Sequence, residues 1–355
     1  FAMCGIAGIL DPHAGTPPQA QLDGMLTWLL KRGPDGEGKY VDRALAMGMR
    51  RLSVIDLESG WQPLYAADGQ VVAFQNGEIY NYRALRDELE RLGFTFHTHS
   101  DTETLAHGYV AWGIDGLLAR ADGMYALAIL DKRSGELHLA RDRFGEKPLF
   151  YASANGRFAW ASNLLAVAAL PWVGTETDPQ ALDDYLAAHY VAGPRTFFRN
   201  VRRLLPGQRL SLRIADPQPA LARYYQPRLD EASLVGDEEL AAALEESVRS
   251  RLVADVPVGV FLSGGLDSSV ITAIAAGAQP GIMTFSMGFD SAAHDEAEHA
   301  QRVAKYCGTR HHRFLFDADS FATLLPRVAA ELDEPLGDQA ALPLFWLCRE
   351  ARRHV

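Results

Sequence analysis

The sequence predicts two domains of different class, an α+β domain at the front and an α/β domain at the back. From residue 4 to about 210, short apolar runs of β type alternate with turns and a few helices. Behind a polar stretch, strands and helices alternate regularly, which is typical of a parallel sheet covered by helices on both faces. The 355 residues suffice for two cores, because single cores stop growing at about 250–300 residues.

The composition is that of an ordinary soluble globular protein with an acidic surface. Apolar residues make up 48% and charged residues 22% of the chain. The net charge of -11 comes from 45 acidic against 34 basic residues. This balance argues against nucleic-acid and anionic-membrane partners. No apolar run approaches the roughly 18 residues that a membrane span needs, and the opening stretch lacks the features of a signal peptide.

The cysteine content predicts a reducing, cytoplasmic compartment. Cys4, Cys307 and Cys348 lie far apart in the sequence, without a CxxC pair or His-rich ligand spacing. This sparse set argues against a disulfide framework and a structural zinc site. We expect Cys307 and Cys348 to be inert core thiols.

The front elements are predicted from local patterns. The run Val71-Val72-Ala73-Phe74 predicts a buried strand, with Asn76-Gly77 as a turn signal after it. Asn81 is the expected cap of the next helix. Its apolar face and its end are predicted at Leu85, Leu89, Leu92 and Gly93. Residues 126–130 and 137–140, joined by a polar turn, predict a hairpin.

A linker is expected between the two domains. The segment Asp216-Pro217-Gln218-Pro219 and the polar stretch from Pro227 to Asp237 carry its composition. We therefore divide the chain into 4–212, a linker over 213–237, and 238–355. In the back part we predict helices over 238–252, about 267–276 and about 295–307, and strands over 257–262, 282–287 and 313–316.

The most informative motif is Ser263-Gly264-Gly265-Leu266-Asp267-Ser268-Ser269, directly after the apolar run 257–262. A strand that ends in a Gly/Ser turn and opens a helix points backbone N–H groups and a positive dipole end outward, which suits a phosphate. The motif lacks the Lys of GxxxxGK[ST]. A bare Gly/Ser turn would be weak evidence, whereas the full motif at a strand-to-helix junction predicts a nucleotide site.

Cys4-Gly5-Ile6-Ala7-Gly8 has two interpretations. An isolated Cys at the head of a first strand is usually a small buried thiol. Alternatively it is an N-terminal nucleophile whose own α-amino group, with a pKa of about 8, serves as base. We interpret Phe1 and Ala2 as a remnant ahead of the initiator Met3, whose natural removal would give Cys4 a free amine.

Residues 4–210 resemble the class II glutamine amidotransferase domain, and within that group the asparagine synthetase B family. The resemblance rests on six ordered segments, which are Cys4 to Gly8, Arg32 to Gly36, Arg51 to Asp56, Phe74 to Asn81, Ser100 to Glu103 and Ala140 to Leu149. It implies an N-terminal nucleophile fold, an αββα sandwich. By the same resemblance the back part is an adenine nucleotide α-hydrolase-like α/β domain, incomplete at its C-terminal end.

The resemblance also implies roles for residues of the front domain. Cys4 would attack the glutamine carboxamide to give a glutamyl thioester and ammonia. Asn76 and Gly77 would form the oxyanion hole, and Arg51 would pair with the α-carboxylate of glutamine. The other glutamine-binding residues would be Leu52 and Val54 through backbone or packing contacts, and Glu78 and Asp101 at the α-ammonium. For Asp101 a helix N-cap is the plain alternative. We expect Arg141, Asp142, Arg143 and Lys147 to form a structural ion-pair network.

In the back domain the motif resembles the pyrophosphate loop of ATP pyrophosphatases, which form an acyl-adenylate. By match, the residues that grip pyrophosphate are Ser263, Gly264, Gly265, Asp267, Ser268 and Ser269, with Asp267 also bound to Mg²⁺. Leu262 and Met287 would flank adenine, although core packing is nearly as good an interpretation. Asp295 and Glu296 match a helix start, and the acidic segment from Asp333 to Asp338 matches one near the acceptor site. There it would orient magnesium or an amine, or only cap a helix.

These matches predict ATP- and glutamine-dependent amide synthesis, with aspartate as the acceptor in the family's main member. The alternatives are the same mechanism on another carboxylate, or an inactive metabolite-binding regulator. The expected partners are small molecules, namely glutamine, ATP with Mg²⁺ and a carboxylate, together with a second copy of the chain in a homodimer. Since family members continue beyond the position of Val355, we expect segments that complete the nucleotide and acceptor sites to be absent here, and synthetase activity of this chain alone to be doubtful.

Overall fold

The computed structural model describes residues 3–228, 235–289 and 297–355. The chain forms two compact units. The first unit comprises the chain up to Arg228 together with Asp333–Pro335, and the second comprises Leu229–Leu332 and Leu336–Val355. Among the described residues, no helix is long and apolar enough to cross a membrane.

The first unit is built on antiparallel strands. Their bounds are β1 Gly5–Leu10, β2 Gly36–Asp42, β3 Leu45–Arg51, β4 Leu64–Ala66, β5 Val71–Ile79, β6 Gly123–Asp131, β7 Glu136–Arg141, β8 Phe150–Ala154, β9 Arg157–Ala161, β10 Arg202–Arg203, β11 Gln208–Arg213 and β12 Asp216–Arg223. They form two sheets, with strand orders β10-β8-β9-β1-β3-β2 and β12-β11-β7-β6-β5-β4.

The two sheets of the first unit pack face to face. Ile6 and Met47 from the first sheet join Phe74 and Leu130 from the second in one buried apolar cluster. The helices of this unit are α1 Gln19–Thr27, α2 Tyr82–Arg91, α3 Asp101–Arg120, α4 Leu164–Ala168 and α5 Pro179–Ala188. Apolar side chains of α1 and α4 cover the outer face of the first sheet, whereas α3 lies against β4 and β5 and packs on α2. The predicted αββα sandwich is confirmed.

The pair Asn76-Gly77 lies inside a strand, so its interpretation as a turn signal is wrong. β5 continues to Ile79, and Asn76 and Gly77 pair with Ala126 and Tyr125 of β6. Gly77 has a φ of 140°, and a Cβ there would lie 1.9 Å from the carbonyl oxygen of Met124. The glycine therefore permits a close approach of two strands and does not reverse the chain.

The start of the predicted linker is also wrong, since β12 covers residues 216–223. β12 is the outermost strand of its sheet, and an edge strand tolerates Pro217 and Pro219 because one side of it needs no ladder N–H. Residues 229–234 of the predicted linker lie outside the described part of the chain.

The second unit contains a parallel sheet in the order β13-β14-β15. Its strands are β13 Gly259–Phe261, β14 Met283–Phe289 and β15 Arg310–Phe316. Its helices are α6 Asp237–Ser250, α7 Leu266–Ala278, α8 Ala297–Cys307, α9 Ala318–Glu331 and α10 Ala341–Ala351. The predicted alternation of strands and helices is confirmed, while Asp295 and Glu296 lie outside the described residues.

Candidate active sites

The thiol of Cys4 lies at the head of β1, facing the loop after β3. Its Sγ donates to the carbonyl oxygen of Leu52 and accepts from the Leu52 N–H, each over 3.3 Å. Burial raises the pKa of Cys4, whereas the Leu52 hydrogen bond and the positive charges of Arg51 and Lys147 lower it. The thiolate therefore depends on nearby cations to form at neutral pH.

Arg51 is held by several backbone carbonyl groups (the carbonyl crown), those of Ile55, Asp56 and Leu57 in the loop after β3. Its Nη2 donates to Ile55 O over 3.1 Å and to Asp56 O over 2.6 Å. The guanidinium also lies 4.9 Å from the centre of the Trp61 ring. Burial lowers the pKa of Arg51. The ordinary pKa of a guanidinium is so high that the side chain stays positively charged, and Arg51 is therefore a fixed cation beside Cys4.

Two carboxyl groups of the site, Asp101 and Glu78, interact with each other, and Asp101 also interacts with the charge of Arg51. Asp101 is buried, and its carboxylate accepts from Ile79 N over 2.9 Å and from Gln75 Nε2 over 3.0 Å. The N-cap of α3 is Ser100, which accepts from Thr102 N, so Asp101 is not the cap. Burial raises the pKa of Asp101.

Glu78 is the second carboxyl group, on β5. Burial and then the charge of Asp101 raise the pKa of Glu78 to about 7, while the charge of Lys147 acts in the opposite direction. Glu78 thus changes its charge within the physiological pH range, as groups at functional sites often do.

Asn76 presents its side chain amide in the core of the first unit. Its Nδ2 donates to Ser162 Oγ over 3.1 Å, and its Oδ1 is buried without a hydrogen-bond partner among the described residues. Leu52 makes its two backbone contacts with Cys4, and its contact with glutamine stays a prediction. Val54 is half-buried in the same loop, and its contact with a ligand stays a prediction.

Four residues around Cys4 were not assigned to the site from the sequence. Arg32 donates from Nε to Cys4 O over 3.3 Å, and Lys147 is buried with its Nζ 3.1 Å from Met3 Sδ. Trp61 stacks on Arg51, and Ser162 binds Asn76. Arg32 and Lys147 stand within the quoted family segments, so a sequence signal existed. For Trp61 and Ser162 none did, since each depends on contacts across the fold.

The residues around Arg141 have the predicted structural role, but Arg141 and Asp142 fulfil it through bonds to backbone groups and not through an ion-pair network. Arg141 donates to the carbonyl oxygens of Lys147 and Leu204, both over 2.7 Å. Asp142 accepts from the N–H groups of Phe144, Glu146 and Lys147. These bonds shape the segment that carries Lys147.

The Ser263–Ser269 motif forms a compact loop between β13 and α7. Gly264 has a φ of 88°, and a Cβ there would lie 2.6 Å from Ala300 N, so only glycine fits without strain. Ser263 Oγ and Ser268 Oγ lie 2.9 Å apart, and Ser269 Oγ donates to Gly265 O over 2.7 Å. Gly265 caps α7 without a side chain bond, which leaves helix N–H groups available to an anion.

Asp267 is exposed in the first turn of α7. Among the described residues no group of three His, Cys, Asp or Glu side chains could hold a metal ion. A single carboxylate nevertheless suits Mg²⁺, which usually takes one or two protein carboxylates together with phosphate oxygens and waters. Asp267 therefore fits a metal that is bound jointly with a nucleotide.

The two residues predicted to flank adenine differ in their surroundings. Leu262 is buried in a small cluster with Ala300 and Ala304. Met287 is half-buried against the apolar cluster around Phe285. Their adenine contacts stay a prediction, and for Leu262 the burial favours the alternative interpretation as a core residue.

The acidic segment from Asp333 to Asp338 is divided between the two units, with Asp333–Pro335 in the first and the rest in the second. Asp333 accepts from the Leu164 N–H over 3.0 Å at the start of α4 and from Asn163 Nδ2. Glu334 accepts from the Phe197 N–H over 2.7 Å and pairs with Arg203. Both carboxylates thus belong to the first unit by their contacts, and the capping interpretation holds for Asp333.

Comparisons with known proteins match the front and the back of the chain to two different families. The profile of a family described as "Glutamine amidotransferase domain" matches residues 3–225, and that of "Asparagine synthase" matches residues 239–355. A Bacillus subtilis protein named asparagine synthetase (glutamine-hydrolyzing) 1 is 35% identical over 99% of this chain. Proteins of Mycobacterium tuberculosis and Methanocaldococcus jannaschii that carry such a name provisionally are 40% and 30% identical over the same share.

The chain is shorter than these relatives. It covers 58% of the Mycobacterium tuberculosis protein, 56% of the Bacillus subtilis protein and 72% of the Methanocaldococcus jannaschii protein.

Proposed function

The chain belongs to the glutamine-hydrolysing asparagine synthetases, and we propose that it is the glutaminase domain and the nucleotide-binding part of an enzyme that forms an amide at the expense of ATP. The observation that carries this proposal is that one chain contains both Cys4 and the Ser263–Ser269 loop. A thiol nucleophile next to fixed cations suits amide hydrolysis, and a glycine-rich helix start suits a nucleotide phosphate.

In the first half-reaction, the Cys4 thiolate attacks the carboxamide carbon of glutamine. A C–S bond forms, and the carbonyl oxygen becomes an oxyanion that receives hydrogen bonds from Asn76 Nδ2 and the Gly77 N–H. The α-amino group of Cys4 takes the thiol proton and returns it to the leaving nitrogen, which departs as ammonia. Water then hydrolyses the glutamyl thioester to glutamate and regenerates the thiol.

The glutamine is held at its two charged ends. Arg51, fixed by the carbonyl crown and by Trp61, pairs with the α-carboxylate. Asp101 and Glu78 receive the α-ammonium, whose positive charge stabilises the ionised form of two carboxyl groups that burial makes harder to ionise.

In the second half-reaction, a carboxylate oxygen attacks the α-phosphorus of ATP and pyrophosphate leaves. The loop residues Ser263, Gly264, Gly265, Ser268 and Ser269 hold the pyrophosphate part. Asp267 would hold a Mg²⁺ ion together with the phosphates, and that ion would supply positive charge to stabilise the pyrophosphate leaving group. Ammonia attacks the acyl-adenylate, the new C–N bond replaces the acyl–phosphate bond, and AMP leaves.

We propose aspartate as the acceptor because the relatives are named for asparagine. A different carboxylate acceptor is the second candidate. An inactive regulator is disfavoured because Cys4, Arg51, Asn76 and Asp267 are all present. The three free cysteines support a cytoplasmic enzyme.

The test uses the full-length protein with Cys4 as its first residue. AMP, pyrophosphate and glutamate are measured with ATP, glutamine, Mg²⁺ and a panel of carboxylates. We expect equimolar AMP and glutamate with aspartate. Equimolar AMP and glutamate with another acid, and none with aspartate, would identify that acid as the acceptor. No AMP with any acid would refute the amide synthesis.

A further inference from the structure

A buried hydroxyl group, that of Ser162, ties Asn76 to the strand that carries the nucleophile. Ser162 follows β9 directly, and its Oγ accepts from Ile6 N over 3.1 Å, two residues after Cys4. The same Oγ accepts from Asn76 Nδ2 over 3.1 Å. Ser162 N also donates to Ile6 O over 2.8 Å. Ser162 and Asn76 are both 0% exposed, so water does not compete for these bonds.

In this arrangement, one hydrogen-bonding group of Ser162 and one of Asn76 have no partner. Ser162 Oγ accepts two N–H groups, and the described residues offer no acceptor for its own proton. At the same time Asn76 Oδ1 is buried without a donor. The Ser162 proton and Asn76 Oδ1 thus lie unpaired on two adjacent side chains, which is unfavourable for buried polar groups.

A half-turn of the Asn76 amide pairs the Ser162 proton with Oδ1 and leaves the two Nδ2 protons without an acceptor among the described residues. The rotation exchanges Oδ1 and Nδ2, so that the Ser162 hydroxyl donates to Oδ1 while still accepting from Ile6 N. Both Nδ2 protons then become available to another acceptor. In a glutaminase, that acceptor is the oxyanion formed when Cys4 attacks its substrate.

We infer that Ser162 is the positioning residue of the oxyanion donor: its hydroxyl selects the orientation in which Asn76 turns Nδ2 towards the substrate. The inference rests on the proposed glutaminase function. Ser162 itself touches no reacting atom. It acts through Asn76, and it fixes this amide to the same strand that follows the nucleophile.

The test is a double-mutant cycle in the glutaminase reaction, with the chain processed to begin at Cys4. For Asn76→Ala we expect a loss of about 100-fold in kcat. Ser162→Ala should lower kcat by roughly 10-fold with an unchanged KM for glutamine, because it misorients the donor and does not remove it. Adding Ser162→Ala to Asn76→Ala should cost nothing further, since the group through which Ser162 acts is gone.

Three controls separate this role from a merely structural one. The rate at which iodoacetamide alkylates Cys4, read by peptide mass spectrometry, needs no oxyanion hole and should not change in Ser162→Ala. Ser162→Thr retains the hydroxyl and should recover most of kcat. Ser211→Ala removes a hydroxyl that binds His138 elsewhere in the first unit and should leave kcat unchanged.

An unchanged kcat in Ser162→Ala would overturn the inference while leaving the glutaminase proposal intact, provided that Asn76→Ala is slow. The same fold-loss on the Asn76→Ala background would also overturn it, because Ser162 would then act independently of Asn76. A normal kcat in Asn76→Ala would refute the oxyanion role itself.

Discussion

At the scale of single residues, the pKa of Glu78 links glutamine binding to pH. A carboxyl group with a pKa of about 7 is mostly protonated at pH 6 and mostly ionised at pH 8. Only the ionised form pairs with the α-ammonium of glutamine. We therefore expect the KM for glutamine to fall severalfold from pH 6 to pH 8. In Glu78→Gln, steady-state glutaminase assays should give a higher KM with little pH dependence. The same pH dependence in the variant would assign the titration to another group.

The amino group of Cys4 carries a second prediction. When Met3 precedes it, the nitrogen is an amide that cannot accept a proton, and Met3 itself lies against Lys147. The form that begins at Cys4 should hydrolyse glutamine at least about 100-fold faster than the form that retains Met3, which is the usual range for a lost general base. Iodoacetamide labelling of Cys4 in both forms controls for access to the thiol. Equal rates of hydrolysis would remove the free amine from the mechanism.

At the scale of elements, the loop before α7 depends on Gly264. Gly264→Ala places a Cβ 2.6 Å from Ala300 N at a φ of 88°. We expect a loss of roughly 1–3 kcal/mol in the free energy of unfolding and weaker binding of a fluorescent ATP analogue. The matched control is Gly277→Ala on the exposed part of the same helix, where a Cβ meets nothing within 4 Å. That change should stabilise by up to about 1 kcal/mol and leave binding intact. Intact binding in Gly264→Ala would contradict the role of this loop.

Glu103 couples the segment before α3 to the helix. Burial opposes ionisation, but the contact with His107 and hydrogen bonds from Thr98 and His97 lower the pKa of Glu103 to about 2. A depressed carboxyl pKa contributes stability above its unfolded value of about 4.3 and loses it as the pH falls through the folded value. In urea unfolding, wild type should therefore exceed Glu103→Gln in stability at pH 6, and the difference should shrink between about pH 4.5 and 2. A constant difference would show that Glu103 acts by packing.

At the scale of the whole molecule, the two half-reactions should be separable by mutation. In the full-length protein, Cys4→Ala should abolish the use of glutamine but keep AMP release when ammonium chloride is supplied. Asp267→Ala should lower AMP release with either nitrogen source by about 10-fold or more, while glutaminase activity persists. Loss of both activities in either variant, with the circular dichroism spectrum unchanged, would contradict this separation.

The local sequence patterns predicted most helices and strands, but they predicted fewer of the side-chain contacts that these elements make. The stripe of Leu85 and Leu89 is buried on α2 as expected, whereas Leu92 is exposed at its end. Asn81 stands at the N-cap position, yet its side chain makes no cap bond and binds Arg120 O and Asp122 N. A polar side chain takes the best partners available in three dimensions, and these lie 39 and 41 residues away.

The sequence by itself determined the two fold classes, the order of strands and helices in the second unit and the family segments around Cys4 and Asp267, because periodicity and short motifs are local properties. Only the tertiary structure decided that Asn76-Gly77 lies within a strand, that the Pro-rich segment 216–223 forms a sheet edge, and that Ser162 meets Asn76. The last contact joins residues 86 positions apart. Such contacts follow from the packing of two sheets, and no local pattern encodes them.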